Sequence, residues 1–417
     1  MKRIENAFGF NAQRRPAPQV RAGRPFSLVS LPIHRSARIG LLFTLLLSLL
    51  SACGATEPTP SGAEAPEPES PTAEPTATAE PTVTATTAPT DTPVPTSTPT
   101  EEATPSPTRT LEPEGLFHFL DGAVVASGTS GDWDSKYVNP GAMLFHDGQF
   151  HMFRNGFIAW PGVISVGYMT SDDGRSWRTV QDEPVFTSEQ IPYVLSGAAV
   201  SSVYVTDDGT WIMYFHTLDS PSSIGRATAP APTGPWTADP EPVLTPGGDG
   251  AWDRRITWPS VVKTDEGLVM YYSGLHSFTN MIGRATSDDG ITWTKYDDPE
   301  TTEGPYHESD PVLMPADGWD GGDVDRPEAR LTPEGWVMLY VGDDLNKRGL
   351  AFSDDGINWT PHPDNPVLST DQSPRPGGTT WDTALLYHDD VYFYYMEIGS
   401  LAGTSIFLAQ HEGSLRN

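Results

Sequence analysis

The phrase Ser-Asp-Asp-Gly-x-x-Trp occurs three times in this chain, at Ser171–Trp177, Ser287–Trp293 and Ser353–Trp359. A fixed phrase recurring at multiples of roughly 60 residues requires a supersecondary unit of that size, repeated and stacked against its copies. Residues that recur in every unit build the scaffold. Residues that break the pattern at an inward position are candidates for chemistry.

Each unit follows one script: an apolar strand, a tight turn, an aromatic strand, and a third strand that runs into the acidic phrase. The aromatic strands are Phe150-His151-Met152-Phe153, Trp211-Ile212-Met213-Tyr214-Phe215, Val269-Met270-Tyr271-Tyr272, Val337-Met338-Leu339-Tyr340 and Val391-Tyr392-Phe393-Tyr394-Tyr395. Their β-branched and aromatic content predicts strands, and no segment sustains a helical period. The phrase's Trp recurs at 177, 236, 293 and 359, although Ala231–Trp236 lacks the acidic residues. A Pro-Val pair recurs at 184, 242, 311 and 366 and closes a short fourth strand. The fifth unit lacks both, and the missing piece stands at the front, where Asp121-Gly122-Ala123-Val124-Val125 precedes Gly131-Asp132-Trp133-Asp134. The fold expected is therefore all-β: a five-bladed β-propeller of four-stranded antiparallel blades, its ring closed by the N-terminal strand. In it the phrase is scaffold: Asp-Gly forms the turn, Ser and Asp bond nearby backbone, and Trp packs between blades. The Trp-Asp pairs at 133, 252 and 319 also repeat and are expected to be structural.

The propeller is assigned to residues 115–417. Residues 53–114 hold many of the 41 prolines and almost no large apolar side chain, so they are expected to form a disordered Pro/Thr-rich linker. Residues 1–52 read as a lipoprotein signal peptide: an arginine-rich start, the apolar run Ile39–Leu50, then Leu50-Ser51-Ala52-Cys53-Gly54. This ending resembles the bacterial lipobox, which makes Cys53, the single cysteine, the lipidated residue. The resulting expectation is a bacterial cell-surface location, with membrane contact through the lipid anchor only and no disulfides. The formal net charge of −30 argues against a nucleic-acid partner. Zinc spacings, phosphate loops and Gly-x-Ser-x-Gly are absent from the sequence. No cofactor is required, calcium on surface carboxylates is conceivable, and a monomer is expected.

The Ser-x-Asp-Gly-x-x-Trp phrase with a downstream Asp364-Asn365-Pro366-Val367-Leu368 resembles the five-bladed propeller glycosidases, the arabinanase, xylosidase and invertase superfamily, over about residues 116–413. The resemblance implies a central pocket lined by the innermost strands, with an Asp before a Pro in the first blade and an acidic catalyst in the fourth. Counting eight residues back from Gly148, Gly267 and Gly335 reaches Pro140, Pro259 and Pro327. The residues before them are Asn139, Trp258 and Arg326. Amide and guanidinium groups cannot replace a carboxyl acid or base, so the standard catalytic set is not carried over.

The fourth unit nonetheless holds Asp323-Val324-Asp325-Arg326-Pro327-Glu328-Ala329-Arg330. Glu328 and Asp325 are candidate general acids, with Asp382 a candidate partner across a sugar. The alternative for this cluster is a structural ion-pair network. Candidate substrate-binding residues are Asn139, Arg154, His216, Trp258, His276, Arg326, Trp381 and Glu397; Trp160 could also stack on sugar. Glu328 with Asp382, or with Glu397, would make a hydrolytic pair. These residues lead to a cell-surface glycoside hydrolase acting on poly- or oligosaccharide. The alternatives are a non-catalytic propeller binding carbohydrate or another surface molecule after losing the family Asp, and a purely structural surface protein.

Overall fold

The computed structural model describes residues 115–416 except 161 and 317; the signal peptide, the linker and Cys53 lie outside the described residues. Five antiparallel sheets follow one another along the chain. Their innermost strands are Tyr137–His146, Ala198–Val205, Arg255–Thr264, Asp325–Thr332 and Thr379–His388. Contacts between these strands run around a closed ring, blade I to II, III, IV, V and back to I. In blades I to IV the four main strands run in sequence order from the centre outward. The Pro-Val segments differ slightly from the expectation. They do not end the fourth strand but form separate short pairings with the third, at Phe186–Thr187, Pro311–Leu313 and Leu368–Ser369.

Blade V takes its outer edge from the front of the domain. His118–Phe119 pairs with Gln410 and Ala409, and Val125–Ala126 pairs with Ile406 and Ser405. The closure read from the sequence is thus present.

The repeated phrase is a clasp between neighbouring blades. In each copy the Ser hydroxyl accepts from the Gly amide, Gly174, Gly290 or Gly356, at 2.8–2.9 Å. The Asp173, Asp289 and Asp355 carboxylates each accept from the next two amides, which holds them well below the usual carboxylate range. The Gly sits at φ near +70°, where a side chain would be strained. The turn then presents its Gly carbonyl to a tyrosine on the second strand of the preceding blade. Tyr395 Oη donates to Gly174 O at 2.6 Å, Tyr214 Oη to Gly290 O at 2.8 Å and Tyr271 Oη to Gly356 O at 2.7 Å. The phrase's Trp packs edge-on against the same ring: Trp177 on Tyr395, Trp293 on Tyr214, Trp359 on Tyr271. Blades II and V lack the phrase. The matching positions in blades I and IV are Phe153 and Leu339, which have no hydroxyl. Tyrosine stands only where a clasp follows.

The Trp-Asp pairs are structural, as expected. Trp133, Trp252 and Trp319 lie across glycine pairs of the second and third strands: Gly156 and Gly167, Gly274 and Gly283, Gly342 and Gly349. A Cβ at any of these would press on the indole, so the glycines are required for close approach.

Candidate functional site

Every innermost strand carries a β-bulge near its start, at the same level of the ring. The bulges lie between Asn139 and Ala142, Val200 and Ser202, Thr257 and Ser260, Asp325 and Glu328, and Thr380 and Thr383. Bulges re-aim side chains, and here they bring residues of blades I, III, IV and V together around Asp382. Trp258 and Arg326 take positive φ, 47° and 52°. This conformation is costly for bulky side chains and persists only where the surrounding structure over-determines it.

The pairing corrects the register inferred from turn glycines. Gly148 lies inside its two-residue turn, whereas Gly267 and Gly335 follow theirs. Asn139 is therefore equivalent to Thr257 and Asp325, not to Trp258 and Arg326. Glu328 is equivalent to Ala142, Ser202 and Ser260.

Asp382 is the hub of the centre. Asn139 Nδ2 donates to its Oδ2 and Trp258 Nε1 to its Oδ1, both at 2.8 Å, and Arg326 Nε stands 3.9 Å from Oδ1. The Arg326 guanidinium lies over the Trp258 indole, 4.2 Å from the ring centroid. His216 packs on the other part of this group, 5.0 Å from Trp258 between ring centroids. Arg326 also reaches Asp325 at 3.8 Å, and its backbone amide is held by Asp325 Oδ1 and Ser273 Oγ. Asn139 is oriented by Asn155, whose amide bridges to Val200 of blade II through its N–H and C=O groups.

Glu397 lies on the second strand of blade V, opposite the Trp381–Asp382 bulge, and is 2% exposed. Burial drives its carboxyl well above the ordinary range, the Asp382 charge adds to the rise, and bonds from Thr404 and the Asp382 amide oppose it. Burial also raises Asp382, but there Arg326 and the Trp258 N–H pull the other way. Donors on both its oxygens favour the charged form of Asp382, whereas burial and the Asp382 charge favour the protonated form of Glu397. Asp382 retains 22% side-chain exposure, so it is the member of the pair that a ligand can reach. Burial, and then Arg255 and Arg326, lower His216 to about 3, leaving it neutral.

Glu328 occupies a different role. Its Oε2 accepts from Leu385 N of blade V at 3.2 Å. At the equivalent positions Ser202 Oγ accepts from Val261 N and Ser260 Oγ from Ala329 N. Glu328 thus stands where serines tie the innermost strands of blades II and III to the next blade. Arg330 completes the staple through Ser260 Oγ and the Ala329 and Leu385 carbonyls, 3.6 Å from the carboxylate. Burial pushes Glu328 up to about 8, against the pull of Arg330.

Two further candidates belong to the scaffold. Arg154 is buried in an ion pair with Asp134 and lies over Trp133. His276 bonds the Ala251 carbonyl through Nδ1 at 2.9 Å. Trp381 is half-buried on the Asp382 bulge. Arg348 was not anticipated. It is fully buried, bonds Tyr394 Oη and two carbonyls, and leaves Nη2 without a partner among the described residues. Its equivalents are Val166, Ile224 and Ile282, and those of Tyr394 are Met152, Met213, Met270 and Met338. This paired break of the repeat was visible in the sequence. Among the described residues, no group of three or more His, Cys, Asp or Glu side chains is placed to hold a metal ion.

The class that this architecture defines is the five-bladed β-propeller, and solved structures sharing it are glycoside hydrolases. The chain is similar to a structure described under the GH130 family of mannoside phosphorylases, said to contain glycoside hydrolases targeting β-1,2 mannosidic linkages in Candida mannan. That likeness has TM-score 0.55 and 20% identity, over 72% of this chain and 96% of the other. A glycosyl hydrolase from Bacteroides ovatus matches with TM-score 0.55 and 18% identity, over 72% and 94%. A family 117 glycoside hydrolase from the marine bacterium Zobellia galactanivorans matches with TM-score 0.51 and 15% identity, over 72% and 92%. No protein-family profile and no curated protein matches the chain. At these identities the likeness establishes the fold.

Proposed function

We propose that the chain is a glycoside hydrolase-like propeller acting on poly- or oligosaccharide, with the Asp382–Glu397 pair as its acid/base centre. The observation that carries this reading is the partly exposed Asp382 carboxyl, bonded by Asn139 of blade I and Trp258 of blade III beside Arg326 of blade IV, with the buried Glu397 on the strand opposite its bulge. Asp382 faces the ligand. Glu397 stands behind it as the proton reserve, so the pair can deliver a proton to a leaving oxygen or receive one from water. Asn139, Trp258 and Arg326 position Asp382. Asp325, across Arg326, is the remaining carboxyl placed to assist. The glycoside hydrolase neighbours support the glycosidase-like propeller and leave the choice of residues to the experiment.

The test is turnover of a broad glycan panel by purified protein. Asp382→Asn is expected to abolish it, and Glu397→Gln to alter its pH profile with the fold intact. Turnover that survives Asp382→Asn refutes the assignment.

One feature favours a non-catalytic carbohydrate-binding propeller instead: both Asp382 oxygens are already bonded, and Glu328 is engaged between blades. Glycan binding without turnover, kept in Asp382→Asn, would select that reading. We also place the domain at a bacterial surface, tethered as a monomer through lipidated Cys53. Cys53→Ala should release the protein from membranes and abolish labelling by a fatty-acid analogue.

A further inference from the structure

The turn joining the second and third strands of blade III is a two-residue hairpin between His276 and Thr279. Ser277 has φ 53° and Phe278 has φ 92°. The two-residue turn at Asp147 and Gly148 in blade I has similar angles, 48° and 75°, and places glycine second, as such turns prefer. A bulky residue at this angle is strained. The phenyl ring is also 91% exposed. Neither local conformation nor burial accounts for a phenylalanine here.

Its setting does. The second strand of blade III passes Ser273, which holds the Arg326 amide at 2.8 Å, and then Leu275, which pairs with Arg255. Three residues of strand lead from Ser273 to His276, about 10 Å at the usual rise, and Phe278 lies in the turn just beyond. The chain just after the turn is anchored to the start of blade IV. Asp323 accepts from Asn280 N at 2.5 Å and from Asn280 Nδ2 at 3.1 Å, and Val324 N donates to Asn280 O at 3.2 Å. Those contacts tie it to the residues immediately before Asp325 and Arg326.

We propose that Phe278 is an outer stacking platform for a glycan whose other end occupies the central site, so that the protein selects chains several sugars long over single sugars. An exposed aromatic face on a fixed turn matches the apolar face of a pyranose or furanose ring. The turn lies beyond the end of a strand whose Ser273 holds the Arg326 amide, which suits a ligand reaching outward from the centre over more than one sugar. This inference rests on the carbohydrate reading above.

The experiment uses affinity electrophoresis in arabinan, xylan, levan and mannan, followed by calorimetric titration with mono- to pentasaccharides of whichever polymer retards the protein. Phe278→Gly should raise the denaturation midpoint by relieving the turn. It should also weaken pentasaccharide binding at least tenfold while leaving mono- and disaccharide binding unchanged, and Phe278→Trp should restore the long-chain affinity. Equal pentasaccharide affinity in wild type and Phe278→Gly overturns the platform and leaves the carbohydrate reading standing. No retardation of wild type by any polymer sinks both.

Discussion

Replacing the clasp tyrosines with phenylalanine isolates one hydrogen bond per blade interface. Tyr214, Tyr271 and Tyr395 are fully buried, and each hydroxyl meets a glycine carbonyl of the next blade at 2.6–2.8 Å. The substitution keeps the ring and its edge-on tryptophan, so no cavity opens. What is lost is the bond, and a buried carbonyl is left without its partner. Each variant should therefore lose about 1–2 kcal/mol. The three interfaces share no residues, so the triple variant should lose about 3–6 kcal/mol. Urea denaturation followed by tryptophan fluorescence measures this as a fall in midpoint at constant slope. Phe153→Tyr is the counter-test, since it adds a hydroxyl at an interface with no clasp and should destabilise by about 1–3 kcal/mol. Losses under about 0.3 kcal/mol in the single variants, or a stabilised Phe153→Tyr, would refute the pairing of tyrosine with phrase.

Three further outcomes follow from the packing and the buried charges. His216 is neutral in the fold down to about pH 3 but titrates near 6.5 when unfolded, so the unfolded chain binds the extra proton and stability falls as pH drops from 6.5 toward 3. At pH 4.5 that part of the loss reaches about 2–3 kcal/mol, and His216→Phe should remove it from the pH dependence of the urea midpoint. Glu328 is raised to about 8, so its contribution is fully present below pH 4.5 and is lost as pH rises through 8; Glu328→Gln should flatten this alkaline decline in a thermal melt, and Glu328→Ala should cost about 1–3 kcal/mol at neutral pH through the unmade Leu385 bond. Gly274→Ala or Gly349→Ala should cost about 1–3 kcal/mol in the same assay by driving a methyl group into Trp252 or Trp319.

The sequence carried the architecture well because a propeller repeats its scaffold. The Trp, the acidic phrase and the Pro-Val pair each mark a fixed station, and the misplaced strand at Asp121–Val125 announced the ring closure. The site was harder to read because it depends on bulges. A bulge changes which residue faces the centre without changing the composition of the strand, so counting from Gly148 shifted Asn139 by one place. Glu328 drew attention as an unusual acid, yet its role appears only beside Ser202 and Ser260, whose hydroxyls make the same bond. Asp382 and Glu397 were both named as candidates, but their pairing depends on a bulge opposite a second strand. Arg348 and Tyr394 break the repeat openly and could have been found by aligning the third strands.

The outer edge of blade V has a consequence for synthesis. His118 and Phe119 find their partners at Gln410 and Ala409, nearly the whole domain away in sequence. The first strands to leave the ribosome thus wait, edges open, until the last strand emerges. Contacts this remote slow folding, and the exposed strands meanwhile invite pairing with other chains. A ring that cannot close until its C-terminus arrives thus makes closure the last event of folding, set by the end of the chain rather than its beginning.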